Sequence, residues 1–245
     1  MLPVRLANVT LSSPVSISVE QMGTNFPLEE SLKIVCLSDT HELHRDVVVP
    51  DGDVLIHAGD ITFFSQRPSV LEDFNAWLGE QPHEHKIVIP GNHDSLLQLE
   101  KWRRVITNAH LLINSGVEVA SLKIWGSPVT PYANVAFGMP ERADRIMLWS
   151  QIPAGLDILI THSPPYGVLD AAEGEAHHGG CRELRAAVVE KRPRLHVFGH
   201  VHSGYGATKS PKTTFVNAAL LDELGGVDRE PITLGMHPKS SSIDS

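Results

Sequence analysis

Five short apolar runs in the chain each end in a turn that carries Asp, Asn or His. The residues at these turns are Asp39 and His41, Asp60, Asn92 and His93, His162, and His200 and His202. Taken one at a time, such residues are usually turn formers, helix caps or solvated histidines. Chance does not readily place five such groups at strand ends, so the combination predicts one shared site.

The donor types in this set are those of a mixed oxygen and nitrogen metal site. The set contains carboxylates, imidazoles and one amide oxygen but no thiolate, which favours Mn, Fe or Zn over a soft metal. Seven ligands from this set of eight residues, with one bridging carboxylate, fit two ions that have four protein ligands each, and they leave positions for water and substrate. Two ions roughly 3.5–4 Å apart are the usual device for in-line displacement at phosphorus.

Alternating strands and helices must position these side chains. Short apolar runs predict strands over residues 32–37, 54–57, 86–89, 157–160, 195–198 and 213–216, and alternation predicts a hairpin over 117–125. Helical spacing predicts helices over residues 70–79, 96–105, 141–149 and 181–191. The early alternation indicates an α/β protein, and the hairpin and late strands indicate mixed sheets.

Length and composition set broad limits on the class of protein. The 245 residues suffice for one large domain or at most two. We predict an N-terminal arm or edge strand over 1–30, a main domain over 31–223, and a C-terminal extension over 224–245 whose end is disordered. The net charge of −9 gives no overall field that would attract a nucleic-acid polymer.

Cysteine content and hydropathy indicate the compartment. Cys36 and Cys181 show neither zinc-knuckle nor disulfide spacing, which favours a reducing compartment, and we predict a cytoplasmic protein. No apolar run in the sequence is long enough to cross a bilayer, so no membrane partner is predicted.

The motifs also carry a family resemblance. In chain order they are Asp39-Thr40-His41, Gly59-Asp60, Gly91-Asn92-His93-Asp94, His162, and Gly199-His200-Val201-His202. This order resembles the calcineurin-like metallophosphoesterase signature over roughly residues 32–220. The flanks resemble the metallophosphoesterase-domain phosphodiesterases of animal brain and their fungal and bacterial relatives. These flanks are Ile124-Trp125-Gly126-Ser127-Pro128, Thr161-His162-Ser163-Pro164-Pro165, His196-Val197-Phe198-Gly199-His200 and Gly204-Tyr205-Gly206.

The resemblance implies a fold and a metal-ligand set. The fold would be a four-layer α/β/β/α sandwich with mixed sheets, holding two divalent or transition metal ions. The implied ligands are Asp39, His41 and His202 for the first metal, Asn92, His162 and His200 for the second, and Asp60 as the bridge. A metal-bridging hydroxide would attack phosphorus directly, without a covalent enzyme intermediate.

The resemblance also implies roles for residues 92–94, which follow the third predicted strand. His93 would face the phosphate, stabilise charge and protonate the leaving oxygen, and Asn92 would lie beside the substrate as well as the second metal. We predict that Asp94 orients His93. His57 is predicted to be a packed or hydrogen-bonded histidine. The loop with His177 and His178 could cap the site, but a solvated loop is favoured.

The predicted activity is hydrolysis of a small phosphodiester such as a cyclic nucleotide. A phosphomonoesterase is one alternative, although Asp60 precedes Ile61, Thr62 and Phe63 rather than an arginine that could clamp a phosphate dianion. A non-catalytic scaffold of the same fold is the other alternative, disfavoured because every motif position is filled. The sequence leaves the oligomeric state open.

Overall fold

Two six-stranded sheets form the centre of the molecule in the computed structural model, which describes residues 16–17, 31–64, 66–171, 178–222 and 225–238. The first sheet contains β1 (Ser16–Ile17), β2 (Leu32–Leu37), β3 (Val54–His57), β4 (His85–Val88), β5 (His110–Leu111) and β12 (Ile232–Met236), in the order β1-β12-β2-β3-β4-β5. The second contains β6 (Ser115–Val119), β7 (Leu122–Ser127), β8 (Ile158–Thr161), β9 (Leu195–Phe198), β10 (Gly206–Lys209) and β11 (Thr214–Asn217), in the order β10-β11-β9-β8-β7-β6.

Both sheets are mixed, as predicted. Strands β2 to β5 run parallel, as do β7, β8, β9 and β11, while β12 with β2, β6 with β7, and β10 with β11 are antiparallel. The carboxyl ends of parallel strands share one edge of a sheet, so the loops after β2, β3 and β4 lie together, and so do those after β8 and β9.

Helices cover the outer faces of the two sheets. They are α1 (Pro68–Glu80), α2 (Glu100–Arg103), α3 (Arg142–Ser150) and α4 (Arg182–Lys191). Pro68 begins α1, where its missing N–H costs nothing. The Cys181 side chain caps α4 by accepting a hydrogen bond from the Leu184 amide. Among the described helices, none combines the length and apolar character needed to cross a bilayer.

Three apolar layers hold the sandwich together. Between the sheets, Ile56 and Ile87 belong to the same buried cluster as Ile160 and Val197. The outer face of the first sheet is buried with α1, through residues that include Leu55, Phe74 and Trp77. The outer face of the second sheet is buried with α3 and α4, through residues that include Leu159, Trp149 and Leu184. The α/β/β/α sandwich predicted from the resemblance is confirmed.

The predicted elements agree with the structure except in one helix. The single helix predicted over 96–105 is wrong, because the chain forms a 3-10 turn at Ser95–Gln98 and then the short α2. Leu99 separates them with an extended backbone. Arg103 donates to the carbonyls of Leu97 and Gln98, which satisfies acceptors that a continuous helix would have used.

The region predicted to be a C-terminal extension contributes a strand to the first sheet. Strand β12 pairs antiparallel with β2, and β1 pairs parallel with β12 through Ser16 and Ile17. The rest of the predicted N-terminal arm lies outside the described residues, and so does the part after residue 238 of the tail predicted to be disordered from His237. The predicted domain boundaries therefore remain predictions.

Candidate metal centre

The predicted metal ligands come together where the carboxyl ends of the two sheets face each other. Asp39 and His41 follow β2, and Asp60 follows β3. Asn92 follows β4, His162 follows β8, and His200 and His202 follow β9. Each sheet therefore supplies part of one donor cluster.

The first group of donors is Asp39, His41 and His202. One ligand atom from each lies within 4.8 Å of the others. Nε2 of His202 lies 3.5 Å from Oδ1 of Asp39, whose side chain is fully buried. These are the residues predicted to hold the first metal.

The second group is Asp60, His162 and His200, whose ligand atoms also lie within 4.8 Å of one another. Nε2 of His162 lies 3.2 Å from Oδ2 of Asp60 and 2.9 Å from Oδ1 of Asn92. The amide oxygen of Asn92 therefore points at the same space, as the predicted second ligand set requires.

Asp60 lies between the two groups. Its Oδ2 is 3.2 Å from Nε2 of His162 in the second group and 3.9 Å from Nε2 of His41 in the first. The carboxylate is almost completely buried. Because one carboxylate reaches donors of both groups, its position suits the bridging role predicted for it.

Backbone carbonyls orient three of the histidines. Nδ1 of His41 lies 3.1 Å from the Thr62 carbonyl, and Nδ1 of His162 lies 2.9 Å from the Ala58 carbonyl. Nδ1 of His202 lies 3.4 Å from a third carbonyl, that of Asp222. A carbonyl only accepts, so each Nδ1 carries a proton and each Nε2 is the nitrogen left to bind a metal. This is the usual outer support of metal-binding histidines, so the donors fit two divalent ions in both chemistry and orientation.

Opposite charges balance inside the centre. Burial alone would raise the pKa of Asp39, but the His202 hydrogen bond and nearby imidazoles hold it well below its usual range. Burial alone would lower the pKa of His162, but Asp60 and Asp39 outweigh burial and raise it to about 9. His162 must lose its extra proton before its Nε2 can bind a metal, so metal binding competes with protons here.

His93 differs from the three carbonyl-supported histidines. Its Nε2 lies 3.8 Å from Oδ2 of Asp60, and it forms a third donor group with Asp60 and His41 within 4.8 Å. Among the described residues, no group hydrogen-bonds its buried Nδ1. Burial lowers the pKa of His93. Among the described residues, His93 thus borders the centre without the carbonyl support that His41, His162 and His202 have.

The predicted contact between Asp94 and the His93 ring is wrong. The Asp94 carboxylate instead accepts hydrogen bonds from the amides of Gly91, Ile61 and Thr62, at 2.7, 3.2 and 2.8 Å. The turn after β4 places Asp94 beneath the loop after β3, where backbone donors surround it. Asp94 therefore joins the loops that carry Asp60 and Asn92.

We expect Asp94→Ala to lower the free energy of unfolding by at least about 3 kcal/mol, because three buried amides lose their acceptor at about 1–3 kcal/mol each. Denaturant unfolding of chelator-treated protein measures the change. Asp51→Ala, which replaces an exposed aspartate, is the control. A loss below about 0.5 kcal/mol, the size of an ordinary surface substitution, would contradict the assigned role.

Four of the predicted ligands have a left-handed backbone that side-chain-bearing residues rarely adopt. The φ angles of Asp39, His41, Asp60 and His200 are 55°, 42°, 55° and 67°. Such conformations cost on the order of 1–3 kcal/mol each and concentrate at functional sites. The strain is compatible with loops held in place by the centre they surround.

Two motif glycines allow the ligands to approach. A Cβ on Gly91 would overlap the Asp60 carboxylate, and one on Gly199 would overlap that of Asp39. The Gly199–His200 turn also lets the His200 amide donate to both oxygens of Asp39, at 2.9 and 3.1 Å. The glycines are therefore required by close packing of the ligand loops against each other.

Each sheet has a buried histidine that supports a ligand loop. Nε2 of His57 lies 3.0 Å from Oγ1 of Thr40, which confirms the prediction of a hydrogen-bonded histidine. Nε2 of His196 lies 2.8 Å from Oγ1 of Thr161, the residue before His162. Burial lowers the pKa of His57 and of His196 to about 3, so both are neutral. Sequence reasoning missed His196, although a histidine inside a strand that ends in GHxH was a usable signal.

One end of the loop with His177 and His178, for which a solvated loop is the favoured prediction, is described. Nδ1 of His178 lies 2.7 Å from Oδ1 of Asp170, while His177 lies outside the described residues. The Tyr132 hydroxyl donates to the Gly179 carbonyl at 2.8 Å, and its ring centroid is 5.2 Å from that of His200. Tyr132 therefore connects this end of the loop to the second donor group.

The two-sheet sandwich and its facing Asp, Asn and His donors define a metallophosphoesterase-type protein. The chain belongs to the calcineurin-like phosphoesterase family, because the family's sequence profile matches residues 32–204. The family generally uses two divalent metal ions, and the clusters described here could hold them. Family membership places the chain among the phosphoesterases.

Sequence relatives support this membership. The human Metallophosphoesterase domain-containing protein 1 is 40% identical over 215 residues, which are 77% of this chain and 66% of the human protein. The match therefore spans about two thirds of the human protein's length. The UPF0046 protein C25E10.12 of Caenorhabditis elegans is 38% identical over 229 residues, covering 83% of this chain and 81% of the relative.

Solved structures show the same fold at low sequence identity. The protein TT1561 of Thermus thermophilus superposes with a TM-score of 0.53 at 12% identity, covering 76% of this chain and 88% of the other. Another structure reaches a TM-score of 0.60 at 17% identity, covering 76% and 90%. At these identities the likeness supports the fold alone.

Proposed function

We propose that the protein is a dinuclear-metal-dependent phosphodiesterase that hydrolyses a small phosphodiester, with a cyclic nucleotide as the model substrate. The observation that carries the proposal is the position of Asp60, whose carboxylate reaches donors of both ligand groups. Asp39, His41 and His202 would hold one ion, Asn92, His162 and His200 the other, and Asp60 both. Two divalent ions held by these residues would supply Lewis-acid chemistry, lowering the pKa of bound water and neutralising negative charge on the ester oxygens.

The chain's own residues would orient the ester and manage protons. Asn92 would place its amide beside the ester as well as the second ion. Nε2 of His93 lies 3.8 Å from the Asp60 carboxylate and so borders the space between the two ligand groups. From there it would donate a hydrogen bond to the phosphate and protonate the leaving oxygen. Asp94 would act through the backbone by holding the Asp60 and Asn92 loops at a fixed separation.

A diester is favoured over a monoester by the groups around His93. The rings that contact His93 include those of Phe63 and Phe64, with centroids at 5.4 and 3.7 Å. Aromatic rings do not neutralise the second negative charge of a monoester, whereas a guanidinium would. The aromatic contacts therefore suit an ester with one negative charge.

A substrate panel tests the proposal. Protein loaded with Mn, Fe, Zn or Co should hydrolyse bis-p-nitrophenyl phosphate and a cyclic nucleotide faster than p-nitrophenyl phosphate. Faster turnover of the monoester would support a phosphomonoesterase instead. Failure of every metal to support turnover of any ester would support the scaffold alternative.

A further inference from the structure

A cavity of about 710 Å³ opens directly beside the candidate metal centre. Its lining includes His41 of the first donor group, together with Glu42, Leu43, Phe63, Arg67 and Leu221. The volume lies within the usual range of roughly 300–1,000 Å³ for small-molecule sites. His41 lines the cavity and also belongs to the metal centre. A substituent on a phosphorus atom bound at the centre could therefore extend into this cavity.

Phe63 presents an unusually exposed ring on the wall of this cavity. The side chain is 62% exposed, although it lies next to two histidines of the centre. Its centroid is 5.4 Å from that of His41, edge to face, and 5.4 Å from that of His93 at an interplanar angle of 32°. A large apolar ring left exposed beside a polar centre is a surface available to a ligand.

Hydrogen bonds hold the backbone that carries this ring close to the centre. The Phe63 amide donates to Oε1 of Glu42 at 3.3 Å, and Oε2 of Glu42 accepts from Arg67 at 2.9 Å. The preceding residue, Thr62, accepts from Nδ1 of His41 through its carbonyl and donates its amide to Asp94. The backbone that carries Phe63 is thus bound to a predicted ligand and to the residue that joins the ligand loops.

We propose that Phe63 is a specificity-determining residue that stacks on a planar aromatic or heteroaromatic substituent of the phosphoester. The inference rests on the proposed function, and it names the chemical class of the substituent that the phosphoester substrate carries. Leu43 and Leu221 add apolar side chains to the cavity lining, and the Glu42–Arg67 ion pair adds polar groups to it. Offset and edge-on arrangements are the geometries that aromatic pairs favour.

Three phosphonates that share one metal-binding end test the inference. Methylphosphonate reports on the centre alone, benzylphosphonate adds a planar ring, and cyclohexylmethylphosphonate adds an apolar ring of similar size that is not planar. Their carbon–phosphorus bonds resist hydrolysis, so each is measured as a competitive inhibitor of bis-p-nitrophenyl phosphate hydrolysis by the metal-loaded full chain.

We expect benzylphosphonate to inhibit the unmodified protein more strongly than cyclohexylmethylphosphonate, by about 2–10-fold. Phe63→Ala should weaken benzylphosphonate inhibition by about 5–100-fold, the range for loss of one stacking contact. Inhibition by methylphosphonate should not change. Phe63→Tyr should retain the preference for the planar ring. Met147→Ala, which replaces a side chain of equal 62% exposure on α3, should leave all three inhibition constants unchanged.

The outcomes separate this inference from the proposed function. If the protein hydrolyses the diester and binds methylphosphonate but does not prefer the planar ring, the inference is overturned and the proposed function stands. If benzylphosphonate inhibits Phe63→Ala as strongly as it inhibits the unmodified protein, the inference is likewise overturned, because Phe63 then does not contact the substituent. If metal-loaded protein neither hydrolyses esters nor binds methylphosphonate, the proposed function fails, and this inference fails with it.

Discussion

Replacement of His93 by alanine should slow diester hydrolysis by ~10²–10⁴-fold, the usual range for loss of a proton-transfer group, while both metal ions stay bound. The physical reason is the position of Nε2, which faces Asp60 across 3.8 Å at the border of the centre. Among the residues that the structure describes, no carbonyl supports this ring in the way that carbonyls support His41 and His162. Steady-state kinetics and metal analysis of the same sample measure both quantities.

His110→Ala is the matched control for this variant, because His110 is an exposed histidine on the edge strand β5. It should retain both the rate and the metal content of the unmodified protein. Loss of a metal ion from His93→Ala would show instead that His93 is a ligand, as its donor group with His41 and Asp60 would permit. The division of roles between His93 and the predicted ligands would then be wrong.

Asp60→Ala should empty both metal sites and reduce diester hydrolysis by ~10³-fold or more, since the ions supply several kcal/mol of transition-state stabilisation. Asp60 is the side chain whose carboxylate reaches His41 in one group and His162 in the other. Metal analysis after gel filtration, together with steady-state kinetics, measures the effect.

Asp60→Asn separates the charge of this residue from its structural contacts. Oδ1 of Asp60 accepts a hydrogen bond from the His93 amide at 2.8 Å, and asparagine can keep this bond. We expect the Asn variant to fold as the unmodified protein does, by circular dichroism, and to bind metal more weakly. An Asp60→Ala protein that retains two equivalents of metal would contradict the bridging role.

The pattern of the sequence predicts an α/β protein with mixed sheets and a shared site, and the family resemblance adds the four-layer sandwich. Short apolar runs closed by turn residues define the central strands, because a strand that is buried on both faces must consist almost entirely of apolar residues. The same runs place Asp39, Asp60 and His162 directly after strand ends, although the strands belong to two different sheets. Strand β12 escaped prediction because its region contains Gly, Pro and Ser, and only pairing with β2 makes it a strand.

The partners of individual side chains could not be predicted in the same way. Asp94 follows His93 in the chain, and sequence proximity suggested a contact between them. The tight turn after Gly91 instead directs the Asp94 carboxylate to the amides of Ile61 and Thr62 in another loop. The left-handed backbone at Asp39 and the exposure of Phe63 likewise depend on how loops from different strands pack against each other.

Metal titration with parallel activity measurement tests the central claim most directly. Metal-free protein receives increasing amounts of manganese, and bound metal and bis-p-nitrophenyl phosphate hydrolysis are measured on each sample. The account predicts that activity is absent without metal and reaches its maximum at two bound ions per chain. Full loading with two ions and no hydrolysis of any diester, or full activity at one bound ion, would contradict it.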